Sequence, residues 1–359
     1  MIIRSLELEN YRNYESLHLN FDDHINVFYG DNAQGKTNAL EAMFLCATTK
    51  SHRGSKDREM IRFGAEESHI KLIVEKQGVP CRIDMHLKKN RSKGVAVNGI
   101  PIHKVTELFG ILNVIFFSPE DLGIIKNSPA ERRRFIDLEL CQLDKVYTHN
   151  LINYNKVVSQ RNKLLKEIDY RKDLLDTLEI WDMQMVRYAR PVIERRQEFV
   201  KELGRIMAEI HGSITGSREK IRLEYAPNVD ASVIERKLAG ERARDLKAKV
   251  SLTGPHRDDL LFFINDIDVR QFGSQGQQRT AALSLKLAEI ELVKKKIREK
   301  PVLLLDDVLS ELDSGRQERL LESVGDIQTM ITCTGLDDFV AHCFHIDKSF
   351  HIESGRQID

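Results

Sequence analysis

No stretch of 18 apolar residues occurs in these 359 residues, so a membrane-spanning helix is not expected. The five cysteines (Cys46, Cys81, Cys141, Cys333, Cys343) form no CxxC pair, and neither a zinc site nor a disulfide framework is indicated. No signal peptide opens the chain, so the expectation is a reduced, cytoplasmic, soluble protein with no membrane partner. Net charge is missing as well, because 55 Lys and Arg balance 55 Asp and Glu. The balance is only global. Residues 50–104 hold 13 basic against 6 acidic residues, residues 150–250 hold 21 against 16, and residues 251–359 hold 13 against 19. Two basic stretches are hidden by acidic ends, and for 150–250 a solvated surface is as good a reading as a binding face. The length supports two or three structural units.

The strongest signal present is "HINVFYGDNAQGKTNALEAMFLCATT". Ile25, Val27 and Phe28 read as a buried strand, and Gly30 to Thr37 fit G-x-x-x-x-G-K-[ST] at every fixed position. Leu40, Met43, Phe44 and Ala47 follow at the spacing of a helix core face. Gly30 and Gly35 let backbone N–H groups converge on phosphates, with Asp31, Asn32, Ala33 and Gln34 forming the loop between them. Lys36 neutralises the β- and γ-phosphates, and the Thr37 hydroxyl suits Mg²⁺. The partner motif is "PVLLLDDVLSELD", in which Val302 to Leu305 read as a parallel strand covered on both faces. Asp306 at its carboxyl end is the metal-linked carboxylate, and Asp307 is the candidate to orient or deprotonate the attacking water. Paired aspartates also end strands without binding anything, but a P-loop needs such a carboxylate and no other apolar strand ends this way.

Between these motifs, "IKLIVEKQGVPCRIDMHLKK" and "VAVNGIPIHKV" show period-two alternation with a hairpin signal at Asn98-Gly99. From about Pro129 to Lys249 the pattern is helical, with interruptions expected at Pro191 and Gly212, and packed helices fit better than a long coiled coil. "LLFFINDIDVRQF" returns to strands around an Asn-Asp turn. Then comes "GSQGQQRTAALSLKL", a second helix start suited to an anion. P-loop, helical insertion, Ser-x-Gly-Gln turn and Asp-terminated strand, in that order, are the layout of ABC-type ATPase heads. The fold expected is therefore α/β, a P-loop core with an antiparallel β side lobe and an inserted helical lobe. The expected divisions are 1–128, 129–250 and 251–359.

"NYRNYESLHLNF", "SPEDLGIIKNSPAERRRFID", "TGPHRDDL" and "FGSQGQQRTAALSLKLAE", together with the two nucleotide motifs, resemble the RecF family of bacterial recombination and repair proteins. The resemblance runs to about residue 320. It implies an ATP- and Mg²⁺-dependent homodimer that binds DNA at gaps and double-strand/single-strand junctions. Such a dimer helps RecR, with RecO, load recombinase, in DNA replication, repair and the SOS response. It also implies slow, DNA-stimulated ATP hydrolysis, with Lys36 and Asp307 as the catalytic pair. Ser274, Gly276 and Gln277 match the signature motif, which faces the γ-phosphate held by the other subunit, and Asp313 matches the D-loop that contacts the dimer partner. Two departures matter: Asp307 stands where ABC heads commonly have Glu, and Thr332 and Thr334 stand where a histidine is expected. Arg53 and Arg58 are candidates for adenine, with solvated arginines an equal reading. The cluster Lys88, Lys89, Arg91 and Lys93 is the candidate DNA contact.

Competing classes share some of these features. A transporter ATPase subunit carries the same motifs but lacks the basic antiparallel stretch. An SMC-type protein needs hundreds of heptad residues. A monomeric P-loop kinase has no use for the Ser274 turn.

Overall fold

Apolar residues alternate with polar ones from the first residues onward. Ile3, Leu6, Leu8 and Tyr11 on β1 (Ile2–Tyr11) and Tyr14, Leu17 and Leu19 on β2 (Tyr14–Asn20) all point into the core. The structure is a computed structural model and describes residues 1–325, 327–335 and 345–358; Cys343 lies outside the described residues. The other four cysteines form no disulfide among the described residues. The chain packs as two units, Met1–Asp121 with Glu289–Asp359, and Leu122–Ala288.

In the first unit the chain continues through β3 (Ile25–Tyr29), α1 (Lys36–Thr48), β4 (Glu67–Lys76), β5 (Val79–Lys88), β6 (Arg91–Val97), β7 (Ile100–Pro101) and β8 (Val114–Phe117). The antiparallel sheet has the order β2-β1-β4-β5-β6-β7, so the two N-terminal strands join the basic strands. Its β6–β7 turn is Asn98-Gly99, both at positive φ as a primed hairpin turn requires.

The second unit holds α2 (Leu122–Lys126), α3 (Pro129–Leu143), α4 (Lys145–Glu167), α5 (Leu178–Thr215), β9 (Ile221–Ala226), α6 (Ile234–Ala248), β10 (Asp259–Ile264), β11 (Ile267–Asp268) and α7 (Val269–Phe272). It also holds the first part of α8 (Gln275–Ile297), which ends in the first unit. The first unit then resumes with β12 (Val302–Asp306), α9 (Ser314–Val324), β13 (Thr329–Cys333), β14 (Lys348–Glu353) and β15 (Arg356–Ile358). Its second sheet runs β15-β14-β3-β13-β12-β8, parallel throughout except for β15. Helix α1 packs against strands of both sheets of this unit. It is therefore buried all round from Ala39 to Thr48, not along one stripe.

Two sequence expectations need correction in the second unit. The helical pattern is not interrupted at Pro191 or Gly212, because α5 runs unbroken through both to a left-handed cap at Gly216. The cost of Pro191 is overridden by burial of Ala189, Val192, Ile193, Phe199, Val200 and Leu203 along the same helix. Nor is the span wholly helical. "IRLEYA" forms β9, which pairs antiparallel with β10, and this pairing draws residues 251–288 into the second unit.

A buried ionic hub joins these helices and strands. Arg196 of α5 donates to Asp137 Oδ1 at 2.7 Å, Asp258 Oδ2 at 2.9 Å and the Pro255 carbonyl at 2.7 Å. Arg132 forks onto both oxygens of Asp259 at 2.6 and 3.0 Å. "AERRRFID" and "TGPHRDDL" thus lock onto each other. His256 donates from Nε2 to the Ser251 carbonyl at 2.9 Å, so its Nδ1 accepts from the Tyr154 hydroxyl. Burial pushes this imidazole down to about 4, consistent with a neutral ring. Replacing Arg196 with Met strands two carboxylates and should cost about 3–5 kcal/mol in denaturant unfolding. A loss under about 1 kcal/mol would mean that water reaches the hub.

Candidate functional site

The P-loop follows β3, the carboxylate pair ends β12, and β13 lies between those two strands. That arrangement explains the side chain linking them. Thr37 Oγ1 donates to Asp306 Oδ1 at 2.7 Å, and Thr332 Oγ1, at the end of β13, donates to the same oxygen at 2.8 Å. Thr332 also accepts from the Asp307 backbone N–H at 2.9 Å. Where a histidine was expected, a threonine ties both aspartates to the sheet. Thr334 lies exposed just beyond.

Lys36 is 4% exposed and has no carboxylate partner among the described residues. Its ammonium donates to the Gly30 carbonyl at 2.6 Å and the Asp31 carbonyl at 2.8 Å, leaving a third N–H uncommitted. The backbone N–H groups of Gly35, Lys36 and Thr37 have no partner among the described residues. A buried cation beside unpaired amides fits an anion. The loop shape requires its glycines: a Cβ on Gly30, at φ +140°, would meet the Ile352 carbonyl oxygen at 2.3 Å.

Two distant segments clasp the loop at Gln34 and Gly35, and the sequence reading assigned neither of them a role there. Asn13 Nδ2 and the Gly355 N–H both donate to the Gln34 carbonyl, at 2.7 and 3.0 Å. Tyr14 donates to the Gly35 carbonyl at 2.9 Å, and Ser354 N–H to Gln34 Oε1 at 2.6 Å. Asp31, Asn32 and Ala33 form the exposed crest. On α1, Glu41 is fully buried and holds Arg12 through two bonds of 2.7 and 2.8 Å. Ser51 Oγ adds a third to the same carboxylate. Arg53 reaches back to Asn38 on the first turn of α1 at 3.2 Å, whereas Arg58 stays exposed.

The two aspartates are not equivalent. Asp306 is buried and doubly hydrogen-bonded, whereas the Asp307 carboxylate bonds to no described residue. Asp307 occupies a left-handed conformation, φ 52°. Burial raises its carboxyl above the usual range; Asp306 adds to the rise and Lys36 opposes it. Among the described residues no group of three or more His, Cys, Asp or Glu could hold a metal by itself. One hydroxyl and one carboxylate suit a hard cation that shares its coordination with phosphate oxygens.

In the second unit, Ser274, Gln275 and Gly276 form the exposed start of α8. Ser274 Oγ accepts from Gln277 N–H at 3.2 Å, and Gln277 Oε1 accepts from Ser274 N–H at 3.0 Å. Ser274 therefore keeps its hydroxyl proton for an outside acceptor, whereas both ends of the Gln277 amide are engaged, Nε2 with Glu219 at 3.0 Å. Asp313 caps α9 by accepting from Arg316 N–H at 3.0 Å. In the basic cluster, Lys88 pairs with Glu67 at 3.1 Å, Lys89 with Glu66 at 2.8 Å and Lys93 with Asp57 at 2.8 Å. Arg91 has no acidic partner among the described residues.

A P-loop and an Asp-terminated strand on one parallel sheet, an antiparallel sheet over the P-loop helix and a separate helical unit define an ATPase head of the ABC/SMC type. A family model described as the RecF/RecN/SMC N terminal domain matches residues 2–345. The DNA replication and repair protein RecF of Agathobacter rectalis is 62% identical over 356 residues, 99% of this chain and 98% of its own length. The protein of the same name from Lachnospira eligens is 59% identical over 361 residues, 100% of this chain and 99% of its own. The chain belongs to the RecF family. A solved structure of the recombination mediator protein RecF-ATP in the RecFOR pathway is similar at TM-score 0.93 and 35% identity, covering 100% of this chain and 98% of that one. An Smc head domain from Pyrococcus furiosus, bound to the C-terminal domain of ScpA, shares the fold at TM-score 0.56 and 16% identity, covering 99% and 95%. No helix among the described residues is long and apolar enough to cross a membrane.

Proposed function

We propose that this protein is an ATP-dependent DNA-binding mediator of recombination and repair that closes head to tail as a homodimer on ATP. It acts at gaps and double-strand/single-strand junctions and helps RecR and RecO load recombinase. Hydrolysis is slow, DNA-stimulated and serves as a switch. One observation carries the reading: a buried Lys36 that makes no direct ion pair among the described residues stands at the head of α1, whose next residue, Thr37, shares Asp306 with Thr332. A RecF-ATP structure among its similar proteins supports ATP as the anion.

Gly30 to Thr37 hold the phosphates, with Lys36 against the β- and γ-oxygens. Thr37 and Asp306 would hold Mg²⁺, which supplies charge neutralisation on those oxygens when bound. Asp307 orients the water and accepts its proton. Ser274 donates its hydroxyl to the nucleotide of the partner copy, with the N-terminal end of the α8 dipole behind it. Asp313 and Gln277 act on that contact indirectly, through the turns they brace. Sedimentation with and without ATP, each with and without gapped DNA, tests the reading. The expected result is association only with ATP, and DNA bound by the ATP form. A chain that stays monomeric with ATP would sink the sandwich, and a dimer that ignores DNA would favour a transporter-type subunit.

DNA contacts fall on Arg91 first, because Lys88, Lys89 and Lys93 must exchange carboxylates for phosphates. The exposed pairs of Lys88 and Lys89 are worth at most about 1 kcal/mol, so their exchange is cheap. Lys93 is half-buried and also donates to the Thr49 carbonyl at 2.5 Å, so it gives up more. Replacing Lys88, Lys89, Arg91 and Lys93 with Ala should weaken DNA binding and flatten its salt dependence by roughly 0.9 per lost phosphate contact. ATP binding should be unchanged. A salt slope equal to wild type would move the DNA footprint to the helical unit.

A further inference from the structure

The exposed Ser274 turn is fixed by a hydrogen-bonded chain that starts in the core of the second unit. His211, near the end of α5, is fully buried. Its Nδ1 lies 3.0 Å from Ser284 Oγ on α8, and its Nε2 lies 3.2 Å from Glu219 Oε2. The other Glu219 oxygen accepts from Gln277 Nε2 at 3.0 Å. Gln277 Oε1 in turn accepts from Ser274 N–H at 3.0 Å. We propose that Glu219 is a positioning residue for the composite nucleotide site, acting through Gln277 on the partner subunit's ATP and not on its own.

The physical reason lies in what a carboxylate can do. A carboxamide presents an acceptor at one end and donors at the other, and it can be turned over without changing shape. A carboxylate only accepts, so Glu219 allows one orientation: NH₂ toward Glu219, oxygen toward Ser274 N–H. Without it the Gln277 amide can flip, the capping bond to Ser274 is lost, and the serine hydroxyl loses its aim. Glu219→Gln preserves shape and hydrogen-bonding capacity but removes this discrimination. The reciprocal exchange restores it: with Glu219→Gln and Gln277→Glu together, residue 277 accepts from both Ser274 N–H and the new amide.

The inference rests on the head-to-tail dimer, and the experiment separates the two. Glu219→Ala should bind ATP as a monomer with wild-type affinity. It should need at least about tenfold more protein to dimerise on ATP, the scale of one charged hydrogen bond lost from the contact. Mixed with an equal amount of Lys36→Ala, it should recover up to about a quarter of wild-type hydrolysis, because each mixed dimer then carries one sound site. The control is the same mixture made with Ser274→Arg in place of Glu219→Ala, with tagged chains reporting that mixed dimers form. Recovery in the control but not with Glu219→Ala overturns the inference alone, since Glu219 then serves its own nucleotide. Recovery in neither is decided by a tagged wild-type chain paired with Lys36→Ala. Activity there overturns the dimer reading and the inference with it. Silence there means that both sites must be filled together, and an ATP-driven dimerisation of Glu219→Ala equal to wild type then overturns the inference alone. The double exchange guards against simple misfolding: it should return dimerisation to near wild type, and a double variant no better than Glu219→Gln alone counts against the proposal.

Discussion

Asp307→Asn should bind ATP as wild type does, hydrolyse it about 10²–10⁴-fold more slowly, and accumulate as dimer on DNA. The substitution is quiet for the scaffold. Asn is among the residues best tolerated at positive φ, and Asp307 sits at φ 52°. The local bonds run through its backbone, with its N–H on Thr332 Oγ1 at 2.9 Å and its carbonyl accepting from Ser310 Oγ at 2.8 Å. The carboxylate supports nothing else among the described residues, so its loss removes chemistry and not architecture. A carboxyl raised by burial beside Asp306 is also a stronger proton acceptor than an exposed one. Asp306 is the opposite case, held by two threonine hydroxyls at 2.7 and 2.8 Å. Equilibrium titration with ATP and single-turnover hydrolysis check the result. If Asp307→Asn fails to bind nucleotide with Mg²⁺ present, Asp307 is a metal ligand and the roles of the two carboxylates are exchanged.

What could be read in the sequence was whatever depends on short spacing. The P-loop residues lie within eight positions, and Asp306 follows its own apolar strand, so each could be found without knowing the fold. Thr332 was visible as a threonine in an unexpected place, but its function depends on β13 lying between β3 and β12, a fact of pairing over hundreds of residues. The clasp on Gln34 by Asn13 and Gly355 is long-range in the same sense. Strand β9 was hidden because six residues of alternating pattern sit inside a long charged helical stretch, and only pairing with β10 makes them a strand. "TGPHRDDL" stood out as a motif, yet its aspartates answer arginines on helices far away in the chain and hold the unit together. Gln277 matched a signature position, but its amide is engaged by Ser274 and by Glu219, the latter a pairing over 58 residues that the motif alone does not show.

Lys36→Ala and Ser274→Arg, each inactive alone, should restore activity to one another when mixed. The first removes the buried cation at the head of α1. The second puts a bulky cation where the proposed dimer would dock the partner's γ-phosphate, while leaving its own P-loop intact, so this variant should still bind ATP as a monomer. In a mixed dimer one composite site collects both lesions, and the other joins an intact Lys36 to an intact Ser274. Random association makes half the dimers mixed, so about a quarter of wild-type sites return at most. The ceiling is reached only if one bound ATP closes the dimer. DNA-stimulated hydrolysis of each variant and of an equal mixture, with dimer formation followed in parallel, is the measurement. If mixed dimers form and nothing returns, a tagged wild-type chain paired with Lys36→Ala decides why, because that dimer also holds one sound site. Activity there, with none in the rescue mixture, would place Ser274 beside the nucleotide of its own chain and end the head-to-tail model. Silence in both would mean that the two sites must be filled together.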